Sequence, residues 1–96
     1  MSTLSNPWRD FFRNWPEGVP RRGVVITSFD EQIPFAEFLT SETFLLLERP
    51  APDSLGARTV VLSFDEVAAL KFTDVVKSKT FQSIGFEGPP PKAQGR

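Results

Sequence analysis

The sequence contains no cysteine, no histidine and no tyrosine. Without cysteine there are no disulfides, no thiolate nucleophile and no thiolate metal site. Without histidine the commonest general base and the commonest zinc ligand are missing. Ser28, Ser41 and Ser63 therefore have no imidazole to activate them, and catalysis would have to rest on carboxylates, lysines or hydroxyls. An excess of charge of one sign is lacking too. The net charge is -1, which predicts no general attraction to nucleic acid or to anionic membrane. Arg21-Arg22 and the Lys71, Lys77, Lys79 group are the local basic candidates, and they read as solvated surface. No window of about eighteen apolar residues exists, so no transmembrane helix is expected. The start, Met1 to Asn6, has neither a positive region nor an apolar stretch. No secretory signal is expected, and the cytoplasm is the expected compartment.

The motifs of common enzymes are also missing. Asp30-Glu31 and Asp65-Glu66 are paired carboxylates, but both pairs fall at predicted turns in a chain with little surface for a sugar cleft. No glycine-bearing calcium loop accompanies them. Gly85-Phe86-Glu87-Gly88 is followed by no Gly-Lys-Ser/Thr, so it is not a phosphate loop. The expectation is a protein that is not an enzyme, with no cofactor, no metal site, and neither DNA nor membrane as a partner.

What is present is a set of short apolar runs. Thr43-Phe44-Leu45-Leu46-Leu47-Glu48-Arg49 is closed by Pro50 and reads as a strand buried on both faces or strongly bent. Runs of similar length lie on either side, at Val24-Val25-Ile26 and Val60-Val61-Leu62, so the central run is taken as the middle strand of a small sheet. Forty percent of the 96 residues are hydrophobic, enough for one domain with a small core. Such a domain often borrows buried area from an oligomer partner.

Residues 1–6 read as a flexible lead. Asn6 and Pro7 look like a helix cap and first helical residue. Trp8, Phe11, Phe12 and Trp15 follow at i, i+3, i+4 and i+7, one aromatic face, until Pro16, Gly18 and Pro20 stop the helix. That face either covers the open end of the sheet or docks a partner. Strands are expected at 23–29, 33–39, 43–49 and 58–64. The second carries Pro34, which suits an edge or an irregular start. Residues 50–57 form a loop by composition. Ser63-Phe64-Asp65-Glu66 matches a helical capping box, yet apolar residues at 68, 70 and 72 alternate, and 67–72 is taken as a fifth strand. Residues 74–86 add a further strand or short helix. Residues 87–96 form a flexible tail whose Pro89-Pro90-Pro91 is short of a PxxP ligand.

In this order, a short helix and then five short strands with the longest loop between the third and fourth, residues 7–86 resemble one Sm-like domain. The family is that of the Sm, LSm and Hfq proteins. The closest local match is Arg58 to Leu70, which looks like the family's strand four, tight turn and strand five. Phe38 to Leu47 looks like the passage from strand two to strand three. The resemblance implies a mainly β fold: an N-terminal α-helix followed by a strongly bent, five-stranded antiparallel small barrel. It also implies a homo-oligomeric ring, with strand four of one copy paired to strand five of the next. Val60, Val61, Leu62, Val67, Ala69 and Leu70 would lie at that interface. Neither Thr59 to Leu62 nor Val67 to Leu70 contains a proline, lysine or arginine to guard an edge. Val61→Pro and Ala69→Pro are the expected interface-breaking changes.

The family commonly binds RNA at turns lining the pore. Single-stranded RNA is accordingly a candidate ligand, with Ser41, Thr43, Ser63 and Phe64 the candidate residues. Leu45 and Leu46 stand where that family's asparagine is expected. Ser63-Phe64, followed by two carboxylates, stands where Arg-Gly is common. The expected function is a ring-forming assembly module. The alternative is an adaptor that docks a partner protein through Trp8, Phe11, Phe12 and Trp15.

Overall fold

Asn6 opens the described chain as a helix cap. Its side-chain oxygen accepts the N–H of Trp8 (2.8 Å) and of Arg9 (3.3 Å), and Pro7 takes the first helical position, where no N–H is needed. A computed structural model describes residues 6–88; the expectations for residues 1–5 and 89–96 lie outside it. Helix α1 is Pro7–Arg13. It ends before Trp15, whose indole N–H instead donates to the carbonyls of Val19 (3.1 Å) and Pro20 (3.3 Å) and pins the connection to the sheet.

Six strands follow: β1 Gly23–Thr27, β2 Gln32–Phe35, β3 Glu37–Thr40, β4 Phe44–Glu48, β5 Thr59–Ser63 and β6 Val67–Lys71. They form two antiparallel three-stranded sheets, ordered β2-β1-β6 and β3-β4-β5. The fold is thus mainly β with an N-terminal helix, but it is neither five-stranded nor a closed barrel. The extra strand comes from a break at Ala36 in the expected second strand. Phe35 and Phe38 are both 2% exposed or less, although residues three apart in a regular strand face opposite ways. One irregular residue restores the parity. Ala36 is exposed and its N–H donates to Glu48 O at 2.7 Å. Phe38 is thereby turned inward, and the chain passes from one sheet to the other.

β4 is the middle strand of its sheet, as expected, but it is buried on one face only. Leu45 and Leu47 are fully buried, whereas Phe44 is half-exposed. Four apolar residues in succession reflect an uncovered outer face here, not two covered ones. Register aligns Leu39, Leu46 and Val61 in a row across that outer face.

The core lies between the sheets and under α1, and is built of Phe12, Val25, Ile33, Phe35, Phe38, Leu45, Leu47, Phe64 and Val67. The Ser63 capping signal is real but caps a 3-10 turn, Phe64–Glu66, through a bond from the Asp65 N–H to Ser63 Oγ. Residues 67–71 then form a strand, as the alternation predicts. After it, α2 (Ser78–Gln82) supplies the short helix that was one of two expectations for 74–86. The arginine pair read as solvated surface is exposed, and each side chain also has a partner. Arg21 lies over the Phe38 ring (3.7 Å to its centre), and Arg22 forms a two-bonded fork with Asp74 (2.8 and 2.9 Å).

Candidate functional site

The two sheets have four edge strands; β2 and β3 are joined to each other through Ala36, and β5 and β6 are the other two. β5 pairs only with β4, and β6 only with β1. No main-chain hydrogen bond from the described residues 73–88 reaches either one. Which groups each edge presents follows from the phase of the ladders. Arg49 N–H donates to Arg58 O (2.8 Å) and Phe64 N–H to Thr43 O (3.2 Å), bracketing the β4–β5 pair. Hydrogen-bonded and non-bonded pairs alternate in an antiparallel ladder. Val60 and Leu62 therefore bond to β4, and the main-chain groups of Thr59, Val61 and Ser63 turn outward.

The same argument orients β6. Thr27 N–H donates to Glu31 O (2.9 Å), so Thr27, Val25 and Gly23 bond to β2, while Val24 and Ile26 bond to β6. Pro34, opposite Val24, sits where an N–H would point away from β1, which is why that strand tolerates it. Ala69 is opposite Ile26 and Leu70 opposite Val25. Ala69 therefore turns its main-chain groups to β1, and Leu70 turns its own to the free edge. A proline at 69 would break the internal ladder, so the expected Ala69→Pro interface test does not report on the edge.

The side chains of the six candidate interface residues divide. Val60, Leu62 and Leu70 pack against the core, Val67 belongs to it, and Val61 is exposed. Ala69 is half-buried. What the two edges offer a neighbour is mainly backbone.

The four candidate RNA residues come together at one corner. Ser41 lies in the β3–β4 turn, where its Oγ accepts the Phe44 N–H at 3.0 Å. Thr43 O holds the Phe64 N–H, and Phe44 is opposite Ser63. Phe64 itself is inside the core, 2% exposed, with its ring centre 6.3 Å from that of Phe12. It has no free face on which a base could stack. The corner also gathers carboxylates. Glu42 is held by Arg9 (3.4 Å) and Arg13 (3.2 Å), and Asp65 Oδ1 accepts the Asn6 amide at 3.0 Å.

The aromatic face of the helix is largely committed. Phe12 is 1% exposed, and its ring meets Phe38 edge-on at 4.9 Å. Trp15 stacks on Phe38 (4.9 Å) and Phe72 (5.1 Å). Trp8 and Phe11 are half-buried and line a cleft of about 600 Å³ beside the β6 edge. Its other walls are Leu70, Phe72, Phe81 and Phe86. Phe81 lies 5.3 Å from Phe72 and 5.9 Å from Phe86, both edge-on. Sequence reading did not find this cleft. Its only trace was the recurrence of phenylalanine at 72, 81 and 86, which fits no helical or strand period.

Among the described residues no three acidic side chains gather as a metal site would require. No helix among them is long and apolar enough to cross a membrane. Comparisons with protein-family models, with curated proteins and with solved structures found no match.

Proposed function

We propose that the chain is a ring-forming assembly module of the Sm-like kind, a homo-oligomer in the cytoplasm and not an enzyme. The observation that carries this reading is the pair of unpaired edges at β5 and β6, the two edge strands not joined to each other through Ala36. β5 and β6 correspond to the fourth and fifth expected strands, because the second is split in two. They end different sheets of the same chain, each with outward main-chain donors and acceptors and no proline, lysine or arginine from Thr59 to Leu62 or from Val67 to Leu70. Exposed edges of that kind invite pairing. A β5 edge meeting the β6 edge of the next copy is a head-to-tail contact, and repeated head-to-tail contacts close into rings. The segment after β6 packs aromatic rings beside this edge and leaves its backbone free.

Light scattering coupled to size exclusion tests the assembly. A closed species of several chains is expected at micromolar concentration; a clean monomer there would reject the ring.

Single-stranded RNA remains part of the proposal at the Ser41, Thr43 and Ser63 corner. Its support is the convergence of those residues on adjacent turns, and Phe64 contributes to it only as a core anchor. Asp65 opposes phosphate at that corner, where Glu42 is already paired with Arg9 and Arg13, so any binding would be weak and salt-sensitive. Titration with uridine-rich and adenine-rich oligonucleotides at two salt concentrations decides it, and absence of binding at low salt removes RNA from the reading.

A further inference from the structure

The cleft between α1, β6 and α2 carries five aromatic rings beside Leu70, with Ser78 and Gln82 among its polar lining, and the last described residues also line it. Glu87 and Gly88 stand at its lip. Gly88 has open space around it, with nothing within 4 Å of where a Cβ would lie, so the chain is free to turn there. The next residues are Pro89-Pro90-Pro91, followed by Lys92, Ala93, Gln94, Gly95 and Arg96.

We infer that the cleft is a polyproline seat whose occupant is this chain's own Pro89-Pro90-Pro91. Three properties match. Consecutive prolines favour the polyproline II form, which exposes flat ring faces and has little conformational freedom left to lose. Grooves lined by aromatic side chains are the surfaces that recognise it. The position also fits: Gly88 lines the cleft and is bonded directly to Pro89, so three prolines that extend about 9 Å start beside the rings of Trp8, Phe11, Phe81 and Phe86. The tether sets the effective concentration of the tail at the millimolar level or above, so even an intrinsically weak contact is occupied. Docked this way, the prolines cover the exposed parts of Trp8 and Phe11, which are only half-buried. This inference does not depend on the ring.

Nuclear magnetic resonance on the full chain tests it. The two indole N–H signals are assigned with Trp8→Phe. Cross-relaxation is expected between proline ring protons of residues 89–91 and the Trp8 and Phe11 rings. Replacing all three prolines by glycine alters no residue of the described fold. It should shift the Trp8 indole signal and leave that of Trp15 in place. A separate Pro-Pro-Pro-Lys peptide should then bind the triple-glycine chain at least about tenfold more tightly than the native chain, which holds its own competitor. Absence of the cross-relaxation, or an unmoved Trp8 signal, overturns the proposal. So does cross-relaxation found only between differently labelled chains, which would assign the seat to a neighbouring copy's tail.

Discussion

Gly23 and the carbonyl of Lys71 approach so closely that any side chain at position 23 would overlap that oxygen. The built Cβ also falls 3.5 Å from the Phe35 ring. Gly23 opens β1, and Lys71 closes β6 opposite Val24. Gly23→Ala must therefore push the end of β6 away from β1, against backbone rather than a yielding side chain. The expected cost is about 1–3 kcal/mol, the range for overpacking a filled site. Urea unfolding should show a lower midpoint with an unchanged slope. An unchanged midpoint would mean that β6 is not seated where the geometry puts it.

Phe12 joins helix to sheet, with its ring among Phe35, Phe38 and Phe64. Phe12→Ala is expected to cost about 3–5 kcal/mol, much of the whole for a domain whose total is about 5–15 kcal/mol. Phe12→Leu should cost clearly less, since most of the volume stays. If both variants unfold at the native midpoint, α1 is not part of the cooperative core.

The helix shows how far the sequence carries. Its cap, its first turn and the strand faces of β1 could be read directly, because each depends on neighbours in the chain. Asn6 needs only the N–H groups of Trp8 and Arg9, and Val25 needs only alternation. The break at Ala36 could not be read in this way. It exists because Phe35 and Phe38 must both enter one core, a demand set by residues far along the chain. The same holds for the cleft: Phe72, Phe81 and Phe86 have no common period and meet only after the chain turns past β6. The orientation of Ala69 toward β1 depends on ladder phase, which one-dimensional alternation does not contain.

The long loop between β4 and β5 is fastened by Asp53, whose Oδ1 accepts the N–H groups of Leu55 and Ala57, each at 2.8 Å. The Ala57 bond foremost, with Leu55 next, holds its carboxyl below the usual aspartate range. A depressed folded pKa means a contribution present above the unfolded value, about 4, and lost as pH falls through the lower folded one. Amide protection at Leu55 and Ala57, measured against the intrinsic exchange rate at each pH, should thus be present at neutral pH and fall only below about pH 4. Asp53→Ala should remove it at every pH. Retained protection in that variant would show that the loop is held by something else.

Asp74 obeys the same sign. Its carboxyl is lowered chiefly by the hydrogen bonds from Arg22, and the fork ties the approach to β1 to the segment leaving β6. Both groups are solvent-screened, so global stability should barely respond to Asp74→Asn. The local consequence is sharper: the Asp74 side-chain carbon signal should titrate below its ordinary range in the native chain, and Arg22→Gln should return it toward that range. A normal titration in the native chain would remove the fork.

The edges give the most selective prediction, because the two sides of β5 answer differently to proline. Val61 turns its N–H outward, so Val61→Pro removes a donor from the free edge and none from the β4 ladder. Proline is tolerated at such a position. Val60 bonds to Leu47 in β4, so Val60→Pro strikes the interior of the sheet, as Ala69→Pro does on β6 against Ile26. The expected pattern is therefore a Val61→Pro chain that keeps the native circular dichroism but has the mass of a single copy. Val60→Pro and Ala69→Pro chains should lose the fold together with the assembly. Leu70→Pro is the matching edge change on β6, but its side chain packs on the core, so its loss confounds packing with pairing and Val61 is the cleaner site. A Val61→Pro chain that remains folded and retains the wild-type multimeric mass would show that the β5 edge takes no part in assembly.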